Sequence, residues 1–421
     1  MSCNDKIELK VAVVKANTGA DAIKRAPIVE EDTGVRCLRI GDISNNRPIE
    51  EWGFTSASYD IVEKFELKKD DIVIARTGNT IGVVKYIDKD IKSVYNNGLI
   101  RIKIDDEFNS KFIYYNLISE DFKSFIYGIS AGTSTQPNMK IEHMLQYKIN
   151  KFSLEEQEKI ANILSSLDDK IELNNEMNKT LEEMAQGIFK RWFVDFEFPN
   201  EDGEPYKSSG GEMVDSELGM IPKGWEVKVL GDICDVKGGK RLPKGKIVLD
   251  EKTEYPYLRV TDITSGYVNM NSIKYIDEET REKISRYIIE YSDLYISIAG
   301  TIGLVGSINK ELDGASLTEN MARIICNNIE KYYMKLYLNY GEIQHLIKTR
   351  AVGSTQPKLP LYVIKDIPVL VPTDKVMNRF KEIIVPLYKS IEENLSNIET
   401  IVDIRDSLLP KLMSGEIDLS K

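Results

Sequence analysis

Leu38-Arg39-Ile40-Gly41-Asp42-Ile43 and Leu258-Arg259-Val260-Thr261-Asp262-Ile263 are two copies of one segment, separated by 220 residues. Two further segments recur in the same order at nearly the same offset. They are Thr80-Ile81-Gly82 with Thr301-Ile302-Gly303, and Ser134-Thr135-Gln136-Pro137 with Ser354-Thr355-Gln356-Pro357. Solenoid and propeller repeats have periods of roughly 20–50 residues, so a period this long corresponds to a whole domain. The sequence therefore predicts two copies of one unit, related by an internal pseudo-twofold repeat.

Length and composition are those of an ordinary globular protein with more than one domain. The chain has 421 residues, of which 42% are hydrophobic and 29% are charged. It contains no apolar run long enough to cross a membrane, and its polar start does not resemble a signal peptide. We therefore expect a cytoplasmic protein that does not associate with a membrane.

Cysteine and histidine usage excludes some kinds of chemistry. Cys3, Cys37, Cys234 and Cys326 are scattered and form no Cys-x-x-Cys pair, so the sequence predicts neither a disulfide framework nor a metal site. His143 and His345 are the only histidines and do not follow the repeat offset. We interpret both as partly exposed helix or loop residues.

The first part of each copy is predicted to mix helix and strand. Residues 100–104 alternate apolar and polar side chains, as a half-buried strand does. Residues 72–75 and 294–298 are typical of buried strands that run toward a glycine-containing turn. Residues 112–117 and 334–338 favour a helix late in each copy. The predicted fold class is α+β, with two similar mixed α/β domains.

The second part of each copy is predicted to be a long helix. Ser153 suits an N-cap, and apolar residues then follow heptad spacing in both copies. The predicted helix-pair interface comprises Leu164, Leu167, Ile171 and Asn174 in the first helix, and Ile384, Leu387, Ile391 and Ile398 in the second. One such seam would also fit a helix packed on its own domain, but two at equivalent positions favour a helix pair. Asn174, Asn178 and Asn394 lie at or beside the seam, where a buried amide fixes register.

These patterns divide the chain into five segments. Residues 199–221 are rich in Gly, Ser and acidic side chains, which is typical of a linker. The predicted segments are a first domain at 1–150, a central long helix at 151–198, the linker at 199–221, a second domain at 222–372 and a C-terminal long helix at 373–421.

Positive charge is concentrated at equivalent places in an acidic chain of net charge -11. Residues 222–246 carry seven Lys or Arg against three Asp or Glu, and residues 9–25 carry four against one. Basic, glycine-rich loops in both copies suit contact with the phosphates of two DNA segments, although a solvated loop remains the alternative. The candidate DNA-binding residues are Lys15, Lys24, Arg25, Arg76, Lys237, Lys240, Arg241, Lys244 and Lys246.

Two other repeated features favour structural roles. Arg39 and Arg259 each precede an Asp in an apolar segment, which favours a structural Arg–Asp pair over base recognition. The Ser-Thr-Gln-Pro segments suit a turn or helix start in which the hydroxyl caps free N–H groups.

We find no catalytic constellation in the sequence. Lys237-Gly238-Gly239-Lys240 lacks the spacing of a phosphate-binding P-loop. The chain also lacks the Asn-Pro-Pro-Tyr and Asp-Pro-Pro-Tyr tetrads that amino-methyltransferases use. We predict no catalytic and no metal-binding residues.

Over its whole length the sequence resembles the specificity (S) subunit of type I restriction–modification systems. The resemblance rests on five motifs in a fixed order together with the internal repeat. They are Gly132-Thr133-Ser134-Thr135-Gln136, Leu154-Glu155-Glu156-Gln157-Glu158-Lys159-Ile160, Phe189-Lys190-Arg191-Trp192-Phe193-Val194-Asp195-Phe196, Ile221-Pro222-Lys223-Gly224-Trp225 and Gly353-Ser354-Thr355-Gln356.

The resemblance implies two target-recognition domains, each reading one half of a split double-stranded DNA sequence. Two long antiparallel helices would hold the domains apart and dock two methyltransferase (M) subunits, and a motor-nuclease (R) subunit would join for cleavage. The resemblance implies no cofactor in this chain, with S-adenosylmethionine, ATP and Mg on the partner subunits. Two alternatives are a single-chain DNA endonuclease or methyltransferase, and a coiled-coil scaffold without a DNA role.

Overall fold

The computed structural model describes residues 5–21, 24–130, 138–264, 266–353, 355–417 and 419. The chain divides into two compact units, one formed by residues 1–174 with 397–421 and the other by residues 175–396. Each unit therefore combines one mixed α/β domain with a part of each long helix. The segment 131–137, which carries the first Gly-Thr-Ser-Thr-Gln motif, and Ser354 lie outside the described residues.

The first unit contains short strands and short helices. Its strands are β1 (Lys6–Glu8), β2 (Val13–Thr18), β3 (Ile28–Val29), β4 (Arg36–Leu38), β5 (Phe54–Thr55), β6 (Ile72–Ala75), β7 (Val84–Tyr86), β8 (Ser93–Tyr95), β9 (Leu99–Ile104) and β10 (Lys148–Asn150). Its short helices are α1 (Ile40–Ser44), α2 (Tyr59–Phe65), α3 (Ser110–Ile118), α4 (Glu120–Ser130) and α5 (Ile141–Met144).

One four-stranded sheet, in the order β2-β9-β6-β7, separates two hydrophobic cores of this unit. Successive side chains of a strand point to opposite faces. Ile72 and Ile74 accordingly pack in one core, whereas Val73 and Ala75 pack in the other. A second sheet, in the order β3-β5-β4-β8, contains the parallel pair β4–β8, and β1 pairs with β10.

The second unit has its own set of strands and short helices. The strands are β11 (Met213–Ser216), β12 (Gly219–Pro222), β13 (Glu226–Val229), β14 (Asp235–Gly238), β15 (Pro256–Leu258), β16 (Ile263–Thr264), β17 (Tyr267–Val268), β18 (Lys274–Tyr275), β19 (Ile288–Ile289), β20 (Leu294–Ser297), β21 (Val305–Ser307), β22 (Ala315–Leu317), β23 (Met321–Ile325) and β24 (Pro368–Val371). The short helices are α7 (Leu230–Ile233), α8 (Glu278–Lys283), α9 (Lys331–Asn339), α10 (Gly341–Thr349) and α11 (Leu361–Lys365).

The strand connections repeat between the two units, which confirms the predicted duplication. The sheet β14-β23-β20-β21 corresponds to β2-β9-β6-β7, and the parallel pair β15–β22 corresponds to β4–β8. The strands predicted at 72–75, 100–104 and 294–298 are present as β6, β9 and β20, and the predicted helices are α3 and α9.

Each central sheet contains a buried ion pair that sequence reasoning missed. Arg101 lies 3.6 Å from Asp71, and Arg323 lies 3.1 Å from Asp293. Burial raises the pKa of both carboxyl groups, and the arginine opposes that shift in each case. The signal in the sequence is an Arg inside each apolar strand together with an Asp just before the neighbouring strand.

The first long helix, α6 (Leu154–Phe189), begins at a capping box and continues into a π-helical turn at Lys190–Val194. Ser153 Oγ accepts a hydrogen bond from the Glu156 N–H at 3.3 Å, and the Glu156 carboxylate accepts one from the Ser153 N–H at 2.8 Å. Ser153 is therefore the N-cap that the sequence predicted. The second long helix is α12 (Asp374–Ser414).

Within the first unit, the start of α6 pairs with the end of α12. Leu164 shares a buried core with Leu409, Leu412 and Met413 of α12. The Arg405 guanidinium of α12 donates a hydrogen bond to Asp168 of α6 at 2.8 Å. The Lys159 ammonium donates to the Leu419 carbonyl at 3.1 Å. These contacts advance along one helix as they retreat along the other, so the two segments are antiparallel.

Within the second unit, the remaining parts of the same two helices pair in the same sense. The Asn394 amide donates a hydrogen bond to Asn178 Oδ1 at 2.8 Å. In the π-helical turn that follows α6, Phe193 meets Phe380 edge to face, with the ring centroids 4.8 Å apart. The predicted helix pair is therefore present in both units, and a buried amide pair lies in its seam as expected.

The seam residues differ in burial. Leu164, Asn174, Ile384 and Ile391 are buried, and Leu167, Ile171, Leu387 and Ile398 are half-buried. The repeat makes Asn174 the equivalent of Asn394 and makes Ile398 the equivalent of Asn178. The position from which a second amide would have to pair with Asn174 is therefore occupied by an isoleucine, Ile398. Among the described residues the Asn174 Nδ2 has no hydrogen-bond partner.

The segment predicted as a linker is folded. Strands β11 and β12 form a hairpin within it, and Phe198 stacks on Tyr206 with ring centroids 4.6 Å apart. The Arg379 guanidinium of α12 donates to the carbonyls of Pro199 and Asn200. The polar composition of the segment did not predict this order, because the segment is held in place by only a few aromatic contacts and backbone hydrogen-bond acceptors.

The remaining features bear on membrane association and cysteine chemistry. No helix within the described residues is long and apolar enough to cross a membrane. Cys37, Cys234 and Cys326 are free thiols. His143 and His345 are exposed on α5 and α10, as predicted.

We expect Ile384→Ala to lower the free energy of unfolding by about 2–5 kcal/mol, because Ile384 of α12 is fully buried in a core that also contains Ala185 and Phe189 of α6. The neighbouring Ile383 is 40% exposed and provides a matched control. Urea unfolding followed by circular dichroism measures both variants. Equal, small effects from the two substitutions would contradict a packed helix pair.

Candidate nucleic-acid interface

The loops at one edge of the central sheet form the candidate interface of the second unit. At this edge β14 and β20 end, and β21 and β23 begin. The segments that meet there are residues 239–246, 298–304, 318–320, 352–353 and 355–358. Backbone hydrogen bonds of 2.8 Å link them: the Gly239 N–H donates to the Met321 carbonyl, the Ile298 N–H to the Asn320 carbonyl, and the Leu359 N–H to the Ile298 carbonyl.

The first unit has the corresponding edge, where β2 and β6 end and β7 and β9 begin. Residues 19–21, 24–27, 76–83 and 96–98 lie in its loops, and an isolated bridge joins Thr77 to Asn138. We refer to these two sets of loops as the loop edges of the first and second units.

Equivalent glycines start the basic loop of each loop edge. A Cβ added at Gly19 or Gly239 would lie closer than 3.0 Å to backbone oxygens of the neighbouring turn. Only glycine allows the chain to pass so close to that backbone. The two glycines stand 220 residues apart, so the repeat was the signal from which this shared geometry could have been found.

Most of the predicted DNA-binding residues lie on these loop edges. Lys24 and Arg25 are exposed in a turn that begins at Asp21, whose carboxylate accepts a hydrogen bond from the Lys24 N–H at 2.8 Å. Arg76 follows β6, and its guanidinium donates twice to Asn138 Oδ1, at 2.9 and 3.2 Å. Lys15 is exposed but lies within β2 rather than in a loop.

The basic residues of the second loop edge differ in their exposure and in whether they are paired with a carboxylate. Lys240 and Lys244 are exposed, and the Lys240 ammonium lies 5.5 Å from the centroid of the Tyr287 ring. Arg241 donates to Glu319 at 2.6 Å, which raises the pKa of the guanidinium. Lys246 is paired with Asp277 and Glu279. Lys237 is exposed near the end of β14.

The two repeated Arg–Asp pairs are structural, as predicted. Asp42 and Asp262 are buried, and each accepts hydrogen bonds from both the backbone and the guanidinium of the Arg three residues earlier. The carboxylate therefore caps the following helical turn and fixes Arg39 or Arg259 beside it. Because each guanidinium is already bonded to a buried carboxylate, we assign neither arginine to base recognition.

Thr355, Gln356 and Pro357 of the second Ser-Thr-Gln-Pro segment are exposed in a loop of the second loop edge. Val352 and Lys358 exchange backbone hydrogen bonds of 2.8 and 2.9 Å that close the loop, and Gly353 has a φ of 109°. The predicted turn is present here. The predicted helix cap is not, because α11 has Pro360 at its N-cap and no side-chain cap.

A buried lysine that sequence reasoning missed joins the second domain to both long helices. Lys335 of α9 is 5% exposed, and its ammonium lies 4.6 Å from the Tyr388 ring centroid and 5.0 Å from that of Tyr267. Burial lowers its pKa to about 8, and the carboxylates of Glu182 and Glu392 oppose that shift.

Tyrosine hydroxyls satisfy those two carboxylates. Tyr267 donates to Glu182 of α6, and Tyr332 donates to Glu392 of α12 at 3.0 Å. In the first unit Tyr115 of α3 donates to Asp168 of α6 at 2.6 Å. Each domain is therefore fixed to its helix segments by partly buried polar contacts in addition to apolar packing.

Comparison with known proteins identifies the class to which this arrangement belongs. The family model described as type I restriction modification DNA specificity domain matches residues 13–183 and again residues 222–400. The chain therefore belongs to the family of type I restriction–modification DNA specificity proteins.

Individual relatives agree with this assignment. The type I restriction enzyme MjaIX specificity subunit of Methanocaldococcus jannaschii is 30% identical over 326 residues, which cover 76% of this chain and 72% of that protein. The HindI specificity subunit of Haemophilus influenzae is 25% identical over 411 residues, covering 84% and 88%. The crystal structure of the type I S subunit from M. genitalium has the same fold, with a TM-score of 0.58, 19% identity and coverage of 97% and 96%.

The lowered pKa of Lys335 predicts a specific pH dependence of stability. An unfolded lysine keeps its proton up to about pH 10.4, so between about pH 8 and 10 the unfolded state binds more protons and the folded state gains stability. The unfolding free energy of the parent minus that of Lys335→Met should therefore rise by about 2–3 kcal/mol from pH 7 to pH 10. Urea titrations at both pH values measure it, and Lys348→Met on α10 controls for the loss of an exposed lysine. A difference that does not change with pH would contradict the buried ammonium.

Proposed function

We propose that this chain is the sequence-reading subunit of a type I restriction–modification complex and that each mixed domain reads one half of a bipartite double-stranded DNA target. The observation that carries the proposal is the repetition of one basic loop edge on two equivalent sheets. Family membership supplies the class of ligand, since the matching family is that of DNA specificity domains.

The charges of the loop edges divide into two groups. Lys24, Arg25, Lys240 and Lys244 are exposed and would meet DNA phosphates. Arg241 and Lys246 already contact carboxylates, so a phosphate would have to compete with Glu319 or with Asp277 and Glu279. Such phosphate contacts orient a protein on DNA, whereas sequence is read by groups that reach the base edges. The acidic net charge of the chain is compatible with DNA binding, because only the loop edges need to attract DNA.

The proposal places the chemistry on partner subunits. Two methyltransferase subunits would supply the S-adenosylmethionine site, and a motor-nuclease subunit would supply the ATP- and Mg-dependent steps. The relatives that carry the name specificity subunit support a recognition role for this chain. Incubating the purified chain with DNA and S-adenosylmethionine, or with DNA, ATP and Mg, should give neither methylation nor cleavage. Activity of the chain alone would favour a single-chain enzyme instead.

Exchanging residues 1–150 for the equivalent segment of a relative should change one half of the methylated sequence and leave the other half unchanged. The reason is that each unit has its own central sheet and its own loop edge. Methylation mapping of DNA exposed to the exchanged and parental complexes measures the outcome. An exchange that altered both halves would show that the domains do not read independently.

Replacing Lys240 or Lys244 with Gln should weaken binding of the assembled complex to all DNA sequences and reduce the slope of log K against log salt by about 1 per lost phosphate contact. Lys228→Gln, in β13 and away from the loop edge, provides a control at an exposed lysine of the same domain. Binding measured over a range of salt concentrations separates the variants. An unchanged slope in both loop variants would show that this loop is only solvated.

A further inference from the structure

Two cysteines of the second unit face each other across neighbouring strands. β14 and β23 are antiparallel, with Asp235 opposite Ile325. The next residues outward are Cys234 and Cys326, and their sulfur atoms lie 3.9 Å apart, with the Cys234 thiol donating to Cys326. Cys234 is buried, and Cys326 is half-buried in the wall of an open cleft of about 740 Å³.

We propose that Cys234 and Cys326 are a site of reversible oxidative modification, at which a small peroxide closes a disulfide between β14 and β23. Opposed residues of antiparallel strands have Cβ atoms about 4.5–5.5 Å apart, and a disulfide needs about 3.5–4.5 Å. The sulfur atoms must therefore approach from 3.9 Å to about 2.05 Å, which small side-chain rotations and a slight strand adjustment provide.

The reaction balances with one peroxide molecule. The Cys326 thiolate attacks a peroxide oxygen, the O–O bond breaks, and a sulfenic acid forms with release of hydroxide. The Cys234 sulfur then attacks the sulfenic sulfur, the S–O bond breaks, and a second hydroxide leaves. The two thiol protons convert both hydroxides to water, so two thiols and one hydrogen peroxide give one disulfide and two waters.

The surroundings of Cys326 make this reaction slow. The hydrogen bond from Cys234 and burial raise the pKa of the Cys326 thiol, and the carboxylates of Asp293 and Glu330 add to the shift. Lys331, a cation of the same cleft, interacts electrostatically with Cys326. Because the thiolate is the nucleophile, the disulfide forms faster in mildly alkaline solution and accumulates under sustained oxidation.

The position of the disulfide determines what it restrains. β14 is the outer strand of its sheet, and it ends at Gly238, where the basic loop begins. A covalent bond to β23 holds this strand in register and also restricts the unfolded chain. Val14 and Ile104 occupy the corresponding places of the first copy, so the first copy has no cysteine pair there. The effect on DNA binding rests on the proposed function, but the disulfide itself does not.

The test uses the full-length chain with Cys3→Ser and Cys37→Ser, which leaves only the proposed pair. The protein is treated with hydrogen peroxide at about pH 8, where the thiolate fraction is greater than at neutral pH. We expect unreduced tryptic peptides containing Cys234 and Cys326 to be joined, lighter by two hydrogen atoms, and separated again by dithiothreitol. The oxidised form should melt at a higher temperature, and the amides of β14 should exchange more slowly with solvent.

Adding Cys234→Ser or Cys326→Ser to this protein removes the link and the gain in melting temperature. The proposal is overturned if the two peptides remain unlinked, or if oxidation proceeds to a sulfinic acid at Cys326 without a disulfide. It is also overturned if the parental chain links Cys3 or Cys37 in preference to this pair. These outcomes are independent of the salt-slope experiment, so failure of the DNA-binding proposal is distinguishable from failure of this one.

Discussion

The antiparallel pairing of α6 with α12 is the constraint on which both units depend. It joins segments that are far apart in the sequence, as the hydrogen bond between Asn178 and Asn394 illustrates. A buried amide tolerates few neighbours, so this contact favours one register of the two helices over shifted alternatives. The apolar layers on either side, with Leu164 in the first unit and Ile384 in the second, provide the burial that stabilises the pair.

The duplication preserves the positions of polar contacts better than their chemistry. Tyr115 of α3 donates to Asp168 of α6 in the first unit, whereas Lys335 of α9 lies against the Tyr388 ring of α12 in the second. The corresponding helices α3 and α9 therefore contact the long helices through different polar groups. The central sheets, in contrast, keep the same buried Arg–Asp pair in both copies. What the two copies share is the scaffold, and what differs between them is the way in which each domain is fixed to the helices.

The features that could be predicted were those that the spacing of residues in the sequence displays. The repeat, the heptad seam, the N-cap Ser153 and the Arg–Asp pairs each depend on local spacing, which a single sequence displays. The convergence of four loops at one sheet edge depends on strand order, and spacing does not determine strand order. Lys335 was missed because nothing nearby in the sequence marks it as buried, since the side chains that surround it come from α6, α12 and β17. The folded segment 199–221 was missed because its composition is polar and its order comes from a few aromatic contacts.

The division of the chain into units has a consequence for its synthesis. The second unit is made of consecutive residues, 175–396, whereas the first is completed only by residues 397–421. At about 5–20 residues per second, the ribosome needs on the order of 10–40 s to make the whole second unit before that segment emerges. Until then Leu164 lacks Leu409, Leu412 and Met413, and an apolar face of the nascent helix is open to chaperones. The half of the protein that is translated first is therefore the half that finishes folding last.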